Sequence, residues 1–339
     1  MIELFVRHLL ESTLFCILLG ALASCLRRQG AAARHTIWLI GISKFSIPTA
    51  LLAVTGARMA FVWPAASWVS SIADKVSAVL VGLFEVWPSH IGAGDITVTS
   101  FVFLAIWVLG SATMFGAWLH SLRKSYHRLA LPAHKECEAF DRAKGRFGFR
   151  PAVRLRSSDE AKEPAIKGIF RPVITIPRGL SKALTATELE AVLLHELAHA
   201  RRRDNLAGAF VHCLVCIFWF HPLLWFVEKR LIAERERACD EAVIHCGTNP
   251  QIYLAGLAKV CRFHLLGNVA GVSAVSGSDL KTRFDQILSG RSSQSITYAF
   301  RITLAGFVLF ITLLPIAGGY CEQCVSNGQG ASASKLSLS

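Results

Sequence analysis

Hydrophobic positions in this chain of 339 residues are gathered into long blocks separated by short polar segments. Crossing the hydrocarbon core of a bilayer takes roughly 20 apolar residues in a helix. Four blocks are long enough, at about 9–26, 36–62, 97–119 and 302–320. Glu11, Lys44 and Arg58 interrupt the first two blocks, whereas the last two carry no charge. The pattern predicts a mostly α-helical, multi-span membrane protein.

The basic residues predict how these spans are oriented. LRRQGAAARH, between the first two spans, and SLRKSYHR, after the third, each hold three Lys or Arg residues, whereas the 63–96 loop holds one lysine and three acids. Short loops rich in Lys and Arg stay in the cytoplasm. This places the N-terminus and the 63–96 loop outside and the peptide after Tyr320 outside. An alternative reading of LASC at 22–25 as a lipoprotein cleavage site conflicts with the same charge bias.

The spans divide the chain into four predicted regions. The first is a membrane region with three spans, the second a cytoplasmic domain, the third a last span and the fourth a short disordered outer tail. Their bounds are 1–122, 123–298, 299–320 and 321–339.

Bulk composition supports a membrane protein. Hydrophobic residues make up 53% of the chain and charged residues 17%, and the mean hydropathy is +0.45. The net charge of +13 could indicate nucleic acid, but Lys and Arg stand at the ends of apolar runs rather than among aromatics on one surface. We therefore predict no direct nucleic-acid binding. Five of the ten cysteines lie in or beside apolar helical stretches and predict no disulfide framework: Cys16, Cys25, Cys213, Cys216 and Cys261. The role of Cys321 and Cys324, in a polar setting, stays open.

The segment AVLLHELAHARRRDN carries the strongest chemical signal. Residues four apart share one face of a helix, so His195 and His199 can offer imidazole nitrogens to one ion. Glu196 lies at the neighbouring edge of that face, where it can reach a water beside the metal without being a ligand. Zinc suits such a set, and one Zn²⁺ per chain is predicted.

A helix start signal precedes these histidines. Thr185 and Glu188, three residues later, match a capping box, and the helix is predicted to run to about Arg203. The residues around the histidines are apolar, and a buried imidazole pair and carboxylate need a partner. The alternative is a buried helix that carries two histidines by chance.

A third protein ligand should come from a second helix, EKRLIAERERACDEAVIHCG. Glu236 and Asp240 are four apart, so Glu236 can bind zinc while Asp240 accepts the other ring proton of a ligand histidine. Glu234 and Glu241 are rival ligands. On spacing alone, a solvated helix face of Glu/Arg pairs is an equal alternative.

The apolar run at 206–227 constrains the fold. One straight helix there would separate His199 from Glu236 by some 30 Å, which a shared ion forbids. Proline disfavours helical geometry at the residue before it, so the break is predicted at His221-Pro222. The run should form two antiparallel halves, either a core hairpin or a re-entrant pair near the inner leaflet.

The predicted helix that carries His195 and His199 is here called the zinc helix. Two segments before it, 153–158 and 169–179, are predicted as strands. An edge strand beside a zinc helix could bind a substrate peptide in extended form. A plain two- or three-stranded sheet that caps the helices is the alternative.

HELAHARRRDN, followed by FHPLLWFVEKRLIAERERACDEAV, resembles the integral-membrane zinc peptidases of the beta-lactam sensor-transducers. The strand PVITIPRGL, three spans before the peptidase segment and one after it extend the resemblance over about 300 residues. It implies a gluzincin-like α+β zinc peptidase domain with a small sheet. It also implies His195, His199 and Glu236 as zinc ligands, Glu196 as the catalytic base and Asp240 as a carboxylate that supports a ligand.

The resemblance further implies an endopeptidase of the bacterial inner membrane that cuts a cytoplasmic transcriptional repressor or itself, as an antirepressor, when a signal arrives from outside. A homodimer is compatible with it. The sensor-transducers carry a penicillin-binding domain after the last span, whereas this sequence ends 19 residues beyond Tyr320. We therefore expect no such domain, and whether beta-lactams are involved stays open. Two alternatives are a heat-shock-type quality-control protease of the membrane and a non-catalytic adaptor with structural zinc.

Overall fold

A computed structural model describes six stretches of the chain and Gly306. The stretches are residues 2–26, 29–47, 96–124, 129–148, 153–266 and 275–288. The predicted C-terminal span, apart from Gly306, the outer tail and the 63–96 loop up to residue 95 lie outside them. Contacts divide the chain into two compact units, here called the first and the second unit. The first comprises Met1–Leu19, Ile40–Val108 and Ile296–Ser339; the second comprises Gly20–Leu39 and Leu109–Ser295.

Most of the described residues are helical, as predicted. Ten α-helices occur in the described stretches: α1 (Ile2–Cys25), α2 (Ala31–Ser43), α3 (Ile96–Lys124), α4 (His134–Phe147), α5 (Leu180–Ala183), α6 (Ala186–Arg202), α7 (Asp204–Ile217), α8 (Pro222–His245), α9 (Pro250–Leu266) and α10 (Val275–Leu288). A short 3₁₀ helix, Lys44–Ser46, follows α2.

Two described helices are long and apolar enough to cross a membrane. Their candidate spans are His8–Cys25 in α1 and Phe101–Arg123 in α3. The second predicted span differs: helical structure ends at Ser46, and Ile47 is extended with φ −121° and ψ 97°. Pro48 explains this end, because proline disfavours helical backbone at the preceding residue. This helix end falls within the second predicted span, 36–62, whose remainder lies outside the described residues.

A four-stranded mixed sheet precedes the zinc helix. Its strands are β1 (Leu129–Ala130), β2 (Arg154–Ser158), β3 (Ala165–Lys167) and β4 (Val173–Pro177), in the order β1-β2-β4-β3. The predicted strands at 153–158 and 169–179 are confirmed as the parallel pair β2 and β4, with Leu155 opposite Ile174. β1 and β3 add antiparallel edges that we did not predict, and β3 contacts α6.

Helix α6 forms the centre of the second unit. Thr185 caps its first turn: Oγ1 accepts from the backbone N–H of Glu188, and the Glu188 carboxylate accepts from the backbone N–H of Thr185. Thirteen of its 17 residues are buried, and Leu189, Leu193 and Leu197 are wholly inaccessible to solvent. Helices α4, α8 and α9 pack against it. The histidines are therefore carried by a rigid, fully packed helix.

The apolar run after α6 forms the predicted hairpin. Helix α7 ends at Ile217 and α8 begins at Pro222, while His221 is extended with φ −94° and ψ 107°. The two helices are antiparallel, since His212 of α7 bonds Glu228 of α8 at 2.7 Å. The predicted break at His221-Pro222 is confirmed.

The turn of this hairpin packs against α3. A Cβ added at Gly110 would lie 2.4 Å from the Trp219 ring, so only glycine allows this approach. Ser111 Oγ donates to the carbonyl of Ile217 at 3.4 Å. Because Gly110 and Ser111 lie in the middle of the candidate span Phe101–Arg123, the turn reaches the centre of that apolar segment. This placement favours the re-entrant interpretation of the hairpin.

Candidate metal centre

Three side chains from two helices meet at one point in the second unit. The Nε2 atoms of His195 and His199 lie 3.1 Å apart. Glu236 Oε2 is 3.4 Å from His195 Nε2, and Glu236 Oε1 is 3.7 Å from His199 Nε2. All three ligand atoms lie within 4.8 Å of one another. The predicted ligands are thus brought together around a volume that one cation can fill.

The hairpin is what makes this meeting possible. His195 and His199 stand one turn apart on α6, so their imidazoles project from the same face. Helix α8 returns antiparallel to α7 and contacts α6 directly, which carries Glu236 back to the histidines. The long apolar run between them therefore connects the two parts of the site.

The rival glutamates of α8 have other partners. Glu234 accepts hydrogen bonds from Arg34 Nε at 2.9 Å and from Arg237 Nη1 at 3.0 Å. Both carboxylate oxygens of Glu241 accept from the backbone N–H of Ala31, at 3.2 and 3.1 Å. Of the three glutamates that the sequence left open, Glu236 is the one that faces both histidines.

The second ring nitrogen of His195 is held by a buried network. Its Nδ1 donates to the hydroxyl oxygen of Tyr253 at 2.9 Å and lies 3.2 Å from Asp240 Oδ1. The Tyr253 hydroxyl in turn donates to Asp240 Oδ1 at 2.5 Å. Arg283 binds the same carboxylate twice, with Nε at 2.8 Å and Nη2 at 2.7 Å. Asp240 therefore stands where the sequence predicted it, whereas Tyr253 and Arg283 were missed.

A different carboxylate holds the second ring nitrogen of His199. His199 Nδ1 donates to Asp204 Oδ2 at 2.8 Å, and Arg202 Nε donates to Asp204 Oδ1 at 3.1 Å. The Cys239 thiol lies 3.3 Å from the same Nδ1. Arg203, with φ 55°, provides the tight turn between α6 and α7. Both histidines thus direct Nε2 inward because Nδ1 is bonded to a partner.

Hydrogen bonds and neighbouring charges shift the pKa values of the site residues, so that His195 is favoured in its protonated form and Glu236 and Asp240 in their ionised forms. Burial lowers the pKa of His195, but hydrogen bonds to Asp240 and Glu236 outweigh it and raise the pKa to about 9. Burial likewise opposes ionisation of Asp240, yet its bonds to His195 and Arg283 bring its pKa to about 2. The pKa of Glu236 is held well below its usual range, because its bond to His195 and the nearby histidines outweigh burial.

Glu196 lies beside the ligands without joining them. It is 7% exposed, and burial raises its pKa above the ordinary glutamate value, against the opposing effect of His199 and His195. It is not among the three residues whose ligand atoms converge. A buried carboxylate with a raised pKa next to a metal site is suited to accept and return a proton.

The donor set fits zinc. Two imidazoles and one carboxylate are its common ligands at catalytic sites, which keep a fourth position for water or substrate. Each ligand histidine is supported by a carboxylate on its other nitrogen, an arrangement typical of protein zinc sites.

The open edge of β3 is partly occupied. The side-chain amide of Asn205 donates to the carbonyls of Ile166 at 3.2 Å and Gly168 at 2.9 Å. A peptide that added to this edge would have to displace the amide from the Ile166 carbonyl. Binding of a substrate peptide to this edge thus remains a hypothesis, and the peptide would have to compete with the Asn205 side chain.

Comparison with protein families matches residues 4–284 to the BlaR1 peptidase M56 family. This match spans more than half of the chain. The chain belongs to the M56 family. Its peptidases depend on zinc in general, in agreement with the donor set described above.

This M56 chain is similar to a protein named as regulatory and to a protein named for methicillin resistance. The regulatory protein BlaR1 of Bacillus licheniformis is 37% identical over 146 residues, which cover 42% of this chain and 24% of that protein. The methicillin resistance mecR1 protein of Staphylococcus aureus strain Mu50 is 26% identical over 156 residues, 43% of this chain and 25% of that protein. The aligned part amounts to about a quarter of the length of these curated relatives.

Proposed function

We propose that this M56 chain is a membrane-embedded zinc endopeptidase that hydrolyses a cytoplasmic or membrane protein in signal-dependent regulated proteolysis. One observation carries the proposal: the hairpin returns Glu236 to 3.4 and 3.7 Å from the two inward-facing histidine nitrogens. The family match supports the assignment to peptidases. One zinc ion per chain would be held by His195, His199 and Glu236.

Zinc, when bound, acts as a Lewis acid on the scissile carbonyl and lowers the pKa of water. The chain's own contribution to the reaction centres on Glu196. Its raised pKa allows the carboxylate to take the proton of the attacking water and to deliver it to the leaving amine. Asp240 and Asp204 keep the two imidazoles oriented with Nε2 inward.

The peptidase region, proposed as residues 123–298, is assigned to the cytoplasm. Arg34, which lies in the basic segment between the first two predicted spans and in the first turn of α2, pairs with Glu234 of α8 at 2.8 Å. This contact supports a placement of the basic segment and the proposed zinc ligands on the same side of the membrane. The Lys and Arg bias of the short loops makes that side the cytoplasm of a bacterial inner membrane, with the N-terminus outside.

The proposed substrate is a transcriptional repressor or the protein itself, with the chain acting as an antirepressor, alone or as a homodimer. Support comes from the names of the relatives, a regulatory protein and a methicillin resistance protein. A quality-control protease would share the same ligands but cut many misfolded proteins. A non-catalytic adaptor would hold zinc in a closed site with four protein ligands, whereas three converge here.

The proposal is tested with the full chain in wild-type, Glu196→Gln and His199→Ala forms. Zinc content is measured by mass spectrometry, and cleavage is followed by proteomics of membrane and cytoplasmic fragments. Glu196→Gln should keep zinc and lose cleavage, whereas His199→Ala should lose both. One or a few defined products would support regulated proteolysis, and many would support quality control. An active Glu196→Gln protein would refute the mechanism.

A further inference from the structure

A large groove lies beside the metal centre in the second unit. Its volume is about 1580 Å³, and His199 forms part of its wall. Strand β3 and the following loop line one side, and the hairpin helices α7 and α8 line the other. The groove therefore reaches His199, a proposed zinc ligand, whereas His195, Glu196 and Glu236 do not line it.

Positive charge dominates this groove. Its lining includes five cationic side chains: Arg154, Lys167, Arg171, Arg203 and Arg235. Arg154, Arg171 and Arg203 are exposed, and no carboxylate of the described residues forms an ion pair with any of them. Exposed cations that share one concave surface raise the local concentration of an anionic ligand.

The acidic groups in the lining do not cancel this charge. Asp204 is 2% exposed and bonded to His199 and Arg202. Glu228 is bonded to His212 at 2.7 Å. Both carboxylates are thus bonded within the protein, and Arg154, Arg171 and Arg203 remain available to a ligand.

Between the cations the groove is apolar. Ile169, Phe170, Leu231 and Ile232 contribute to its lining, and Phe170 is 85% exposed. An exposed phenylalanine beside a groove is a typical anchor for an apolar side chain of a binding partner. The lining therefore combines apolar contact with anion recognition.

We propose that this groove selects substrates in which acidic residues flank the scissile bond and alternate with apolar ones. This inference rests on the proposed function, because it names the substrate class of the same site. Arg154, Arg171 and Arg203 would determine the specificity by pairing with the acidic side chains. The neighbouring hairpin leads to the membrane, so anionic lipid headgroups would be the competing ligand, but a lipid would not account for His199 in the same wall.

Binding is tested without cleavage, so that the result does not depend on catalysis. The probes are a fluorescent decapeptide of alternating Glu and Leu and its Gln/Leu counterpart, measured by anisotropy on full-chain Glu196→Gln in neutral detergent. The acidic peptide should bind at least about tenfold more tightly at low salt, and 0.5 M salt should remove most of the difference. The triple variant Arg154→Gln, Arg171→Gln, Arg203→Gln should lose the preference.

The matched control removes the same charge elsewhere. Lys182, Arg262 and Lys281 are exposed and do not line the groove, so their triple change to Gln should leave the preference intact. Equal binding of the two peptides, or a preference that survives in the groove variant, would overturn the inference. So would a groove variant that loses only its affinity for phosphatidylglycerol nanodiscs and keeps its peptide preference. Acid-selective binding without any cleavage by the wild type would instead refute the proposed function alone.

Discussion

Asp204 Oδ2 accepts a hydrogen bond of 2.8 Å from His199 Nδ1, although the two residues belong to different helices. Arg203, in the left-handed conformation with φ 55°, reverses the chain between them. This turn brings Asp204 to Nδ1 of His199, so Asp204 orients His199 in the same way as Asp240 orients His195. The zinc helix and the start of the hairpin are thus joined through the site itself.

Replacing Asp204 should therefore weaken zinc binding. Asp204→Ala removes the acceptor that holds Nδ1, so His199 gains freedom to rotate or change tautomer. We expect zinc affinity to fall about 10- to 100-fold, measured on the full chain by competition with a chromogenic chelator. Asp159→Ala is the matched control, because Asp159 is exposed, lies outside the site and pairs with Arg178 at 3.1 Å. Unchanged affinity in Asp204→Ala would contradict the assigned role.

Zinc binding should also depend on pH. The pKa of His195 is raised to about 9 in the metal-free protein, and a ligand imidazole must be neutral, so zinc displaces a proton below that pH. We expect affinity to rise about tenfold per pH unit between pH 7 and 9 and then to level off. Asp240→Asn should flatten this dependence, because it removes the charge that favours protonated His195. Calorimetry in buffers of different ionisation enthalpy counts the released protons.

The same pKa has a consequence for the stability of the metal-free fold. Because the folded pKa of His195 lies above the unfolded value of 6.5, protonation stabilises the fold below pH 6.5, and this contribution disappears as pH rises through about 9. Stability of the metal-free protein should fall over that window. His134→Gln is a suitable control for this pH dependence of stability, since His134 is an exposed histidine paired with Glu138. A stability that rises between pH 7 and 9 would contradict this.

Local rules were enough to predict much of the architecture. The capping pair Thr185 and Glu188 predicted where the zinc helix begins, and Pro222 predicted where the hairpin turns. The second apolar block contains a helix end at Ser46 that hydropathy alone does not indicate, because it depends on the effect of Pro48 on Ile47. The short edge strands β1 and β3 depend on pairing with β2 and β4, which no local pattern indicates.

The site could not be predicted in full from the sequence, because it depends on contacts between residues far apart in the chain. Spacing alone could not separate Glu236 from its rivals, because the partners that occupy Glu234 and Glu241 lie about 200 residues earlier, at Arg34 and Ala31. Tyr253 and Arg283 likewise reach Asp240 from other helices. Asp204 could have been suspected, since it follows the histidines within HELAHARRRDN, but its role depends on the turn at Arg203.

A single glycine tests the position of the hairpin turn. Leucine at position 110 would place Cβ 2.4 Å from the Trp219 ring, whereas Gly116 of the same helix has nothing within 4 Å. Gly110→Leu should displace the turn and lower the thermal midpoint and the zinc affinity of the full chain in detergent. Gly116→Leu should change neither. If both variants behave like the wild type, the turn does not pack against α3 at Gly110.

The ion pair between Arg34 and Glu234 should couple α2 to α8, the helix that carries Glu236. The two side chains are 12% and 8% exposed and 2.8 Å apart, so each variant leaves a poorly solvated charge with fewer partners. Among the described residues, Glu234 keeps only Arg237 when Arg34 is replaced, and Arg34 loses the carboxylate when Glu234 is replaced. We expect Arg34→Met and Glu234→Gln each to lower the free energy of unfolding by about 3 kcal/mol.

The double variant should lower the free energy of unfolding by at least about 1 kcal/mol less than the sum of the two single variants, because the pair is lost only once. The exposed pair Arg178 and Asp159, each 59% exposed at 3.1 Å, is the matched control and should contribute less than about 1 kcal/mol. Unfolding in a denaturing detergent, followed by tryptophan fluorescence, provides all the free energies. Strict additivity of Arg34→Met and Glu234→Gln would mean that α2 and α8 are not energetically coupled through this pair.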